Sequence, residues 1–484
     1  MHDIVLTSCN GVPSARAVAG SAIGLCFFYA GAGLIKRSVL MLIIGNGRVI
    51  TRDPQNPWLA EGAVVTEGRL IRELGPTALM RAKYPQADYV DARGGVIMPG
   101  LINAHTHIYS GLARGLSIRG HDPHTFYQVL DGMWWNIDRH LELEGTRASA
   151  YATIIDCIKN GVTTIFDHHA SYQQIPDSLF AIAEVAKELG IRANLCYEVS
   201  ERDGAEKCAE AIRENGRFSR WAAQQNDDMI QAMFGGHALF TISDSTFEKM
   251  AAENNGLTGF HIHVCEGSTD REDSWNRYGM RPIDRLKKHG ILGEKTILGH
   301  CIELTDDELD VIAETNTMCV TNPESNMGNA VGVAPVLKMF QKGILVGLGT
   351  DAYTHDMLES LKVELIIQRH NAGLPNVGWR EATGMLFEDN AKMCARYLSK
   401  PVDVLAPGAL ADIAVFDYRP FTPFSHENID GHMIYGFQGK MCIHTVINGR
   451  LLMKDRELVQ ADEHAIYARV YEAASRLWGQ LNPL

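Results

Sequence analysis

The chain has 484 residues, of which 46 % are hydrophobic, and a formal net charge of −13. This is ample for a packed core and too long for one ordinary compact domain, so two packed units, or one large barrel with an accessory piece, are expected. The acidic balance argues against nucleic acid or an anionic membrane surface as main partner, since both need basic patches. Ten cysteines without a CxxC pair read as reduced thiols of a cytoplasmic protein, not as a disulfide framework.

In chain order, the first feature is the apolar run 17–35, AVAGSAIGLCFFYAGAGLI, preceded by Arg16 and followed by Lys36 and Arg37. It reads as part of a leader or appended extension over residues 1–40, with the patterned protein beginning at Met41; an export signal and a membrane anchor are its other readings. From there LIIGNGRVI, GAVVTEGRLIREL and DYVDARGGVIMPG carry Val, Ile and Leu at strand spacing, with Gly at the turns. The same texture returns in ADIAVFDYR and CIHTVINGRLLMKDREL. The flanks 41–97 and 401–455 are therefore expected to meet in one small β-sandwich, followed by a C-terminal helix over 456–484.

Between the flanks, over 98–400, helix and strand alternate. VIMPGLINAH is the first strand. A helix over 146–160 ends at Gly161 before VTTIFD, and a helix over 177–189 ends at Gly190 before IRANLCY. MIQAMFGGH, GFHIHVCE, KTILGH, TMCVTN and ILVGLGTD follow, each after a helical stretch, and Thr305 with Glu308 forms a capping box before the seventh strand. Eight βα repeats predict an α/β protein of the parallel (β/α)8 TIM-barrel type. An open doubly wound sheet would want a Gly-rich phosphate loop after its first strand, and no GxGxxG stands there.

In such barrels the chemistry sits at the C-terminal strand ends. Here those ends carry His105 and His107, then Asp167, His168 and His169, then His237, then His261 and His263 with Glu266 three residues on, then His300, then Asp351. Residues i and i+2 share a strand face, so His105 and His107 can grip one ion together, with His263 and Asp351 arriving from other strands. Three neutral imidazoles and a carboxylate suit Zn2+, and also Fe2+ or Mn2+; such an ion lowers the pKa of bound water toward neutrality. An HxH pair alone would mean little among 19 histidines; what gives it weight is that separate strands deliver ligands to one rim.

The runs PGLINAHTH, HVCE, GHC and GLGTD resemble the amidohydrolase superfamily over nearly all of 42–455, and within it the chlorohydrolase and deaminase (ATZ/TRZ-like) branch. GLARG after HTH, MWW, DHHAS, HIHVCE, SNMGNAVG and IYARVYEAASRLW are similar to the SsnA-type aminohydrolases. The resemblance implies one divalent metal held by His105, His107, His263 and Asp351. It implies Glu266 as acid/base, and His300 as the residue that orients the nucleophile and polarises the substrate. In the chemistry it implies, Asp351 takes the proton of the attacking water, and Glu266 protonates a ring nitrogen and then the leaving ammonia. It also implies a homodimer or homotetramer. One position departs from the pattern: Glu303 stands where related deaminases often have a second histidine, which unsettles the substrate and leaves the metal set untouched.

The expected substrate is an aminated heterocycle such as a purine, pterin or pyrimidine. Its candidate contacts are His237, His168, Trp135 and Asn326. His168 and His169 cannot both face the barrel mouth, His261 sits one layer below His263 as a supporting residue, and Trp134 shares with Trp135 the capacity to stack on a flat ring. Hydrolysis of a cyclic amide, or of another C–N or C–Cl bond, uses the same site. A catalytically silent scaffold barrel is the reading from another class, and the acid/base pair Glu266 and His300 argues against it.

Overall fold

The computed structural model describes residues 40–483, so the apolar run 17–35 and the leader assigned to it lie outside the described residues. The two flanks form one nine-stranded sheet. Met41–Ile50, Trp58–Glu67 and Leu70–Gly75 pair antiparallel in succession, and Asp88–Asp91 lies parallel to the first of them. The C-terminal flank adds Ile413–Phe416, Cys442–Ile447, Arg450–Lys454 and Glu457–Leu458. The halves are joined by Val96–Pro99, which pairs with Ile413–Phe416 on one side and with the Met41–Ile50 strand on the other. Alternating residues of both flanks, among them Ile44, Val64, Ile97, Ile413, Val415 and Val446, bury one shared apolar cluster.

The stretch expected as one first strand is two. Val96–Pro99 belongs to the flanking sheet and Leu101–Thr106 opens the parallel array, with the break at Gly100. A Cβ at Gly100 would sit 2.1 Å from the Thr163 methyl, so only glycine lets the chain pass this close while its N–H bonds the carbonyl of Asp412 at 3.0 Å. MIQAMFGGH is likewise split, into Ile230–Ala232 and Phe234–Ala238, around Met233. Met233 N–H bonds the Leu195 carbonyl of the preceding strand, whereas Phe234 N–H bonds Gly259 of the following one.

This switch divides the parallel strands into two sheets. Leu101–Thr106, Val162–His169, Arg192–Tyr197 and Ile230–Ala232 make the first. Phe234–Ala238, Phe260–Val264, Ile297–His300, Met318–Thr321 and Val346–Leu348 make the second. Isolated parallel bridges, Thr106 to Asp351 and Val199 to Gly236, link the sheets at both edges. Helices alternate with these strands as the periodicity predicts. Leu143–Lys159 precedes the second strand, and Ser178–Leu189 ends at Gly190, whose φ of 84° is the left-handed cap that glycine adopts at little cost. The Thr305–Glu308 capping box forms, and the C-terminal helix is Glu463–Leu481.

Side chains facing the helices, such as Ile165, Leu195, Ile262 and Leu298, join the largest apolar cluster, each contributing on the order of 2 kcal/mol by burial. The opposite face carries Ile102, Phe166, Cys196, Ile297, Met318 and Val320 low on the strands. Two residues beyond Phe166 on that face is His168, so an apolar floor lies beneath a polar rim. The eight cysteines among the described residues are free and buried.

Candidate active site

At the rim, Leu101–Thr106 has an irregular register between Asn103 and Thr106, and there it delivers His105 and then His107 to the site. Phe260–Val264 brings His261 and His263, Ile297–His300 ends in His300, and the chain leaving Val346–Leu348 reaches Asp351. His300 and Asp351 have φ of 67° and 55°, a left-handed conformation costing about 1–2 kcal/mol for a side-chain-bearing residue. Asp351 N–H is held by the His105 carbonyl at 3.0 Å, which ties the last strand to the first.

The imidazoles are aimed by their second nitrogens. His107 Nδ1 donates to the His168 carbonyl at 2.5 Å, and His263 Nδ1 to the His237 carbonyl at 2.9 Å. Because carbonyls only accept, both Nδ1 atoms carry protons, and the two Nε2 atoms, 3.2 Å apart, face one point where only positive charge is tolerated. His105 Nδ1 meets His261 Nε2 at 2.8 Å, leaving a fully buried His105 Nε2 without a partner. Asp351 completes the arc, its Oδ1 3.1 Å from His107 Nε2 and its Oδ2 accepting from Ser325 Oγ at 2.6 Å. Donor atoms of His105, His107 and Asp351 lie within 4.8 Å of one another, as do those of His105, His263 and His300. This orphaned nitrogen and the converging lone pairs fit a divalent cation of the zinc type.

The electrostatics agree. Burial disfavours a charged His107, yet Asp351 outweighs it and lifts the ring to about 9, so His107 Nε2 sits where positive charge, a proton or a metal ion in its place, is favoured; the Asp351 carboxyl, despite burial, is held well below the usual range by His107. Burial pushes His105 and His263 down, leaving neutral rings able to ligate.

Glu266 and His300 stand together beside this cluster. His300 Nδ1 donates to Asn326 Oδ1 at 2.8 Å, and its Nε2 lies 3.5 Å from Glu266 Oε2 and 3.6 Å from Asp351 Oδ2. Glu266 also accepts from Asn329 Nδ2 at 3.3 Å. Burial raises its carboxyl, so it can carry a proton near neutrality.

Glu266, His237, His107, His263 and Asp351 all line one cavity, with Trp134 and Tyr353 also on its wall. Three sequence-derived contacts lie behind its wall instead. His168 is fully buried: its Nδ1 pairs with Glu198 at 3.0 Å, and its Nε2 reaches the Gly236 and His261 carbonyls. Asn326 is consumed by His300. Trp135 points its Nε1 at His237 Nε2, 3.4 Å away, so it is Trp134 that borders the cavity. Among the residues on the cavity wall that escaped sequence reading are Glu198, Asn329 and Tyr353. Glu198 had a signal, since it follows IRANLCY directly and is thus a carboxylate at a strand end. Burial works to raise it, but the hydrogen bond from His168 and the nearby His237 hold it at about 2.

Parallel α/β architecture with buried imidazoles and carboxylates converging at the strand ends defines a metal-assisted hydrolase centre. The model of the amidohydrolase family matches residues 96–452, and the chain belongs to that family. It is 29 % identical over 450 residues to a 5′-deoxyadenosine deaminase of Methanosarcina barkeri, spanning 91 % of this chain and 99 % of that protein. Among solved structures it matches an adenosine deaminase from Xanthomonas campestris with bound zinc at TM-score 0.79 and 23 % identity, over 90 % of this chain and 98 % of the other. It matches an atrazine chlorohydrolase from Arthrobacter aurescens TC1 complexed with zinc at TM-score 0.75 and 24 % identity, over 90 % and 100 %. These likenesses give the chain a TIM-barrel-type fold and place it in the branch that its motifs resemble. No helix among the described residues is long and apolar enough to cross a membrane.

Proposed function

We propose that this amidohydrolase is a metal-dependent deaminase that releases ammonia from an aminated heterocycle. The observation that carries the reading is the group Glu266, His300 and Asp351, whose ligand atoms lie within 4.8 Å of one another beside the imidazole cluster. The reading draws further support from the deaminase relative. His105, His107, His263 and Asp351 would hold the ion, and zinc is inferred from the donor set and from the zinc-bearing neighbours. When bound, the ion supplies Lewis acidity and brings water to the acidity of a usable nucleophile.

The residues then divide the proton work. Asp351, kept ionised by its cationic surroundings, accepts the proton of the attacking water. Glu266, raised by burial, donates a proton to the ring nitrogen next to the reacting carbon; the proton that Asp351 took from water passes to the amino group as it leaves as ammonia, and the new hydroxyl returns its proton to Glu266 as the carbonyl forms. Asn329 fixes one oxygen of Glu266 and leaves the other free to face the substrate. His300, locked by Asn326, presents Nε2 toward the charge that develops on the nucleophile. His237 borders the cavity and would touch the heterocycle. His168, Trp135 and Asn326 act through neighbours as positioning residues.

Ammonia release from aminated purines, pterins and pyrimidines, with protein of measured metal content and Glu266→Gln as control, tests the reading. Metal-dependent release that falls by about 10²–10⁴ in the control supports it. A folded, metal-loaded protein that releases no ammonia refutes it. The chlorohydrolase neighbour favours a second reading, loss of a halogen or alkylamine substituent, and the same assay read for chloride and alkylamine separates the two.

We further infer that the edge bridges at Thr106 and Val199 mark closure of the parallel strands, over 98–400, into one eight-stranded barrel. On this reading the nine-stranded sheet of 41–97 and 401–455 folds over its shared cluster as a sandwich. A cytoplasmic homodimer or homotetramer is the assembly we propose.

A further inference from the structure

One carboxylate on the wall of the Glu266 cavity has no part in the proton work. Glu198 directly follows the strand Arg192–Tyr197, lines the cavity and is 2 % exposed. Its Oε1 meets His168 Nδ1 at 3.0 Å. His168 Nε2 faces the carbonyls of Gly236 and His261 and so carries a hydrogen, which leaves one proton to be shared between Nδ1 and Oε1. Wherever that proton rests, Glu198 Oε2 is an acceptor.

No donor among the described residues meets that oxygen. His237 Nε2 lies 4.0 Å from it, beyond hydrogen-bond reach, and holds no hydrogen to give. Thr241 Oγ1 spends its own proton on the Ala238 carbonyl and accepts from His237 Nδ1 at 2.9 Å, while the Trp135 indole, a donor only, turns its N–H on His237 Nε2. The Arg202 guanidinium, whose charge Glu198 also feels, is committed to both oxygens of Asp138 at 2.5 and 3.3 Å. Unlike His105 Nε2, Glu198 Oε2 is not sealed in protein: the cavity reaches it. An enclosed acceptor without a donor costs free energy that a donor on the ligand recovers.

Resting on the deaminase reading, we propose that Glu198 is a specificity residue: the substrate presents to its Oε2 a hydrogen-bond donor, a ring N–H or a second amino group, in addition to the amino group that leaves. A ring whose sole donor is the departing amino group, such as a 9-substituted adenine, leaves Oε2 unmet. A ring that turns a carbonyl or a bare nitrogen toward it sets two acceptors face to face. Sites built to hydrogen-bond one partner reject the analogue that lacks it far more strongly than apolar pockets reject a change of size. His168 then acts by fixing which oxygen of Glu198 is left for the ring.

The test measures ammonia release by the zinc-loaded enzyme from rings with a further donor, 2,6-diaminopurine, guanine and cytosine. Against them stand two whose sole donor is the departing amino group, 9-methyladenine and 1-methylcytosine. The best donor-bearing ring should exceed both methylated rings about a hundredfold in kcat/KM. Glu198→Gln keeps an oxygen for His168 and turns an amide N–H toward the cavity at nearly equal bulk, so that ratio should fall about tenfold or more, through a rise in KM for the donor-bearing ring. Rejection of the methyl groups by size alone would leave the ratio unmoved. Glu198→Asp, which keeps the carboxylate and withdraws it from the cavity, should lower the ratio with zinc content unchanged. Methylated rings matching the best donor-bearing ring, a ratio unmoved in both variants, or zinc lost together with the ratio overturns the proposal. If no ring loses ammonia, calorimetric titration of the same rings decides. Binding of a donor-bearing ring that Glu198→Gln weakens about tenfold keeps the role of Glu198 and rejects the deaminase reading, whereas binding that is absent or indifferent to the variant rejects both.

Discussion

Arg192 is the first residue of Arg192–Tyr197, and its guanidinium clasps Asp412 of the C-terminal flank from below. Nε and Nη2 reach the Asp412 carboxylate at 3.0–3.2 Å, Nη1 donates to the Asp228 carbonyl at 2.6 Å, and both charged side chains are 1 % exposed. Asp412 Oδ1 also accepts from Asn448 N–H at 2.7 Å. Arg192→Met removes the cation and leaves a buried carboxylate with a single N–H, a loss of about 3–5 kcal/mol. At ~2.1 cal/mol/K of unfolding entropy per residue, a chain of this size has about 1.0 kcal/mol/K, so the melting temperature should fall by about 4 °C. Asp412→Asn in the same background keeps the acceptor for Asn448, removes the stranded charge and should recover at least half of that loss. Calorimetry on the four proteins of this double-mutant cycle is the assay. A fall of less than 1 °C for Arg192→Met, or a double variant as unstable as the two singles combined, would refute the view that this pair pins the flanking sheet to the parallel strands.

Chelation should lower the melting temperature, and zinc should restore it in proportion to the logarithm of free zinc, about 2.7 kcal/mol at a hundredfold excess over Kd; an unchanged transition counts against the metal site. His261→Gln, which disturbs the hydrogen bond aiming His105, should weaken zinc about 10–100-fold in a chelator competition, and unaltered affinity would contradict the support assigned to it. Gly349→Ala would put a Cβ 2.4 Å from Asn322 Oδ1 and 2.8 Å from the His105 Cβ, so purified protein should bind less than one zinc per chain; full stoichiometry would show that the rim yields there. Burial lifts the Glu364 carboxyl to about 7, opposed by its hydrogen bond from Gln368. The unfolded chain ionises this group near its ordinary value and the native protein does not. Native stability is therefore lost as pH rises from the unfolded pKa toward 7, by up to about 3 kcal/mol. Glu364→Gln should raise the melting temperature at pH 8 and leave it nearly unchanged at pH 4.5; equal effects at both would refute the assignment.

Much of the parallel architecture was legible because helix and strand periods alternate so regularly between Leu101 and Asp351, and because Gly190 and the Thr305 box punctuate it. The strand-end rule located every histidine now clustered at the rim. What it could not resolve was depth. His168 occupies a strand end, yet whether it reaches the cavity or turns beneath it depends on Glu198 and on the carbonyls of two neighbouring strands, contacts that exist only after pairing. Trp134 and Trp135 are adjacent in a local helix, and only the packing of Trp135 on His237 decides which ring borders the cavity. The split at Gly100 was hidden for a similar reason. Both halves of VIMPGLINAH are apolar and strand-like, and the change of sheet is dictated by Thr163 and Asp412, far away in sequence.

That split has a consequence for how the chain comes to be folded. Val96–Pro99 emerges early in synthesis, yet its neighbour Ile413–Phe416 is made some three hundred residues later. The first ligand strand, one glycine downstream, leans on the same junction and meets Asp351 only after most of the chain exists. Until then Val96–Pro99 has only its earlier neighbour, Met41–Ile50, and one apolar strand edge waits for the C-terminal flank. The sheet is thus completed late, by closure of some of the longest loops in the molecule, the kind of contact that forms slowly.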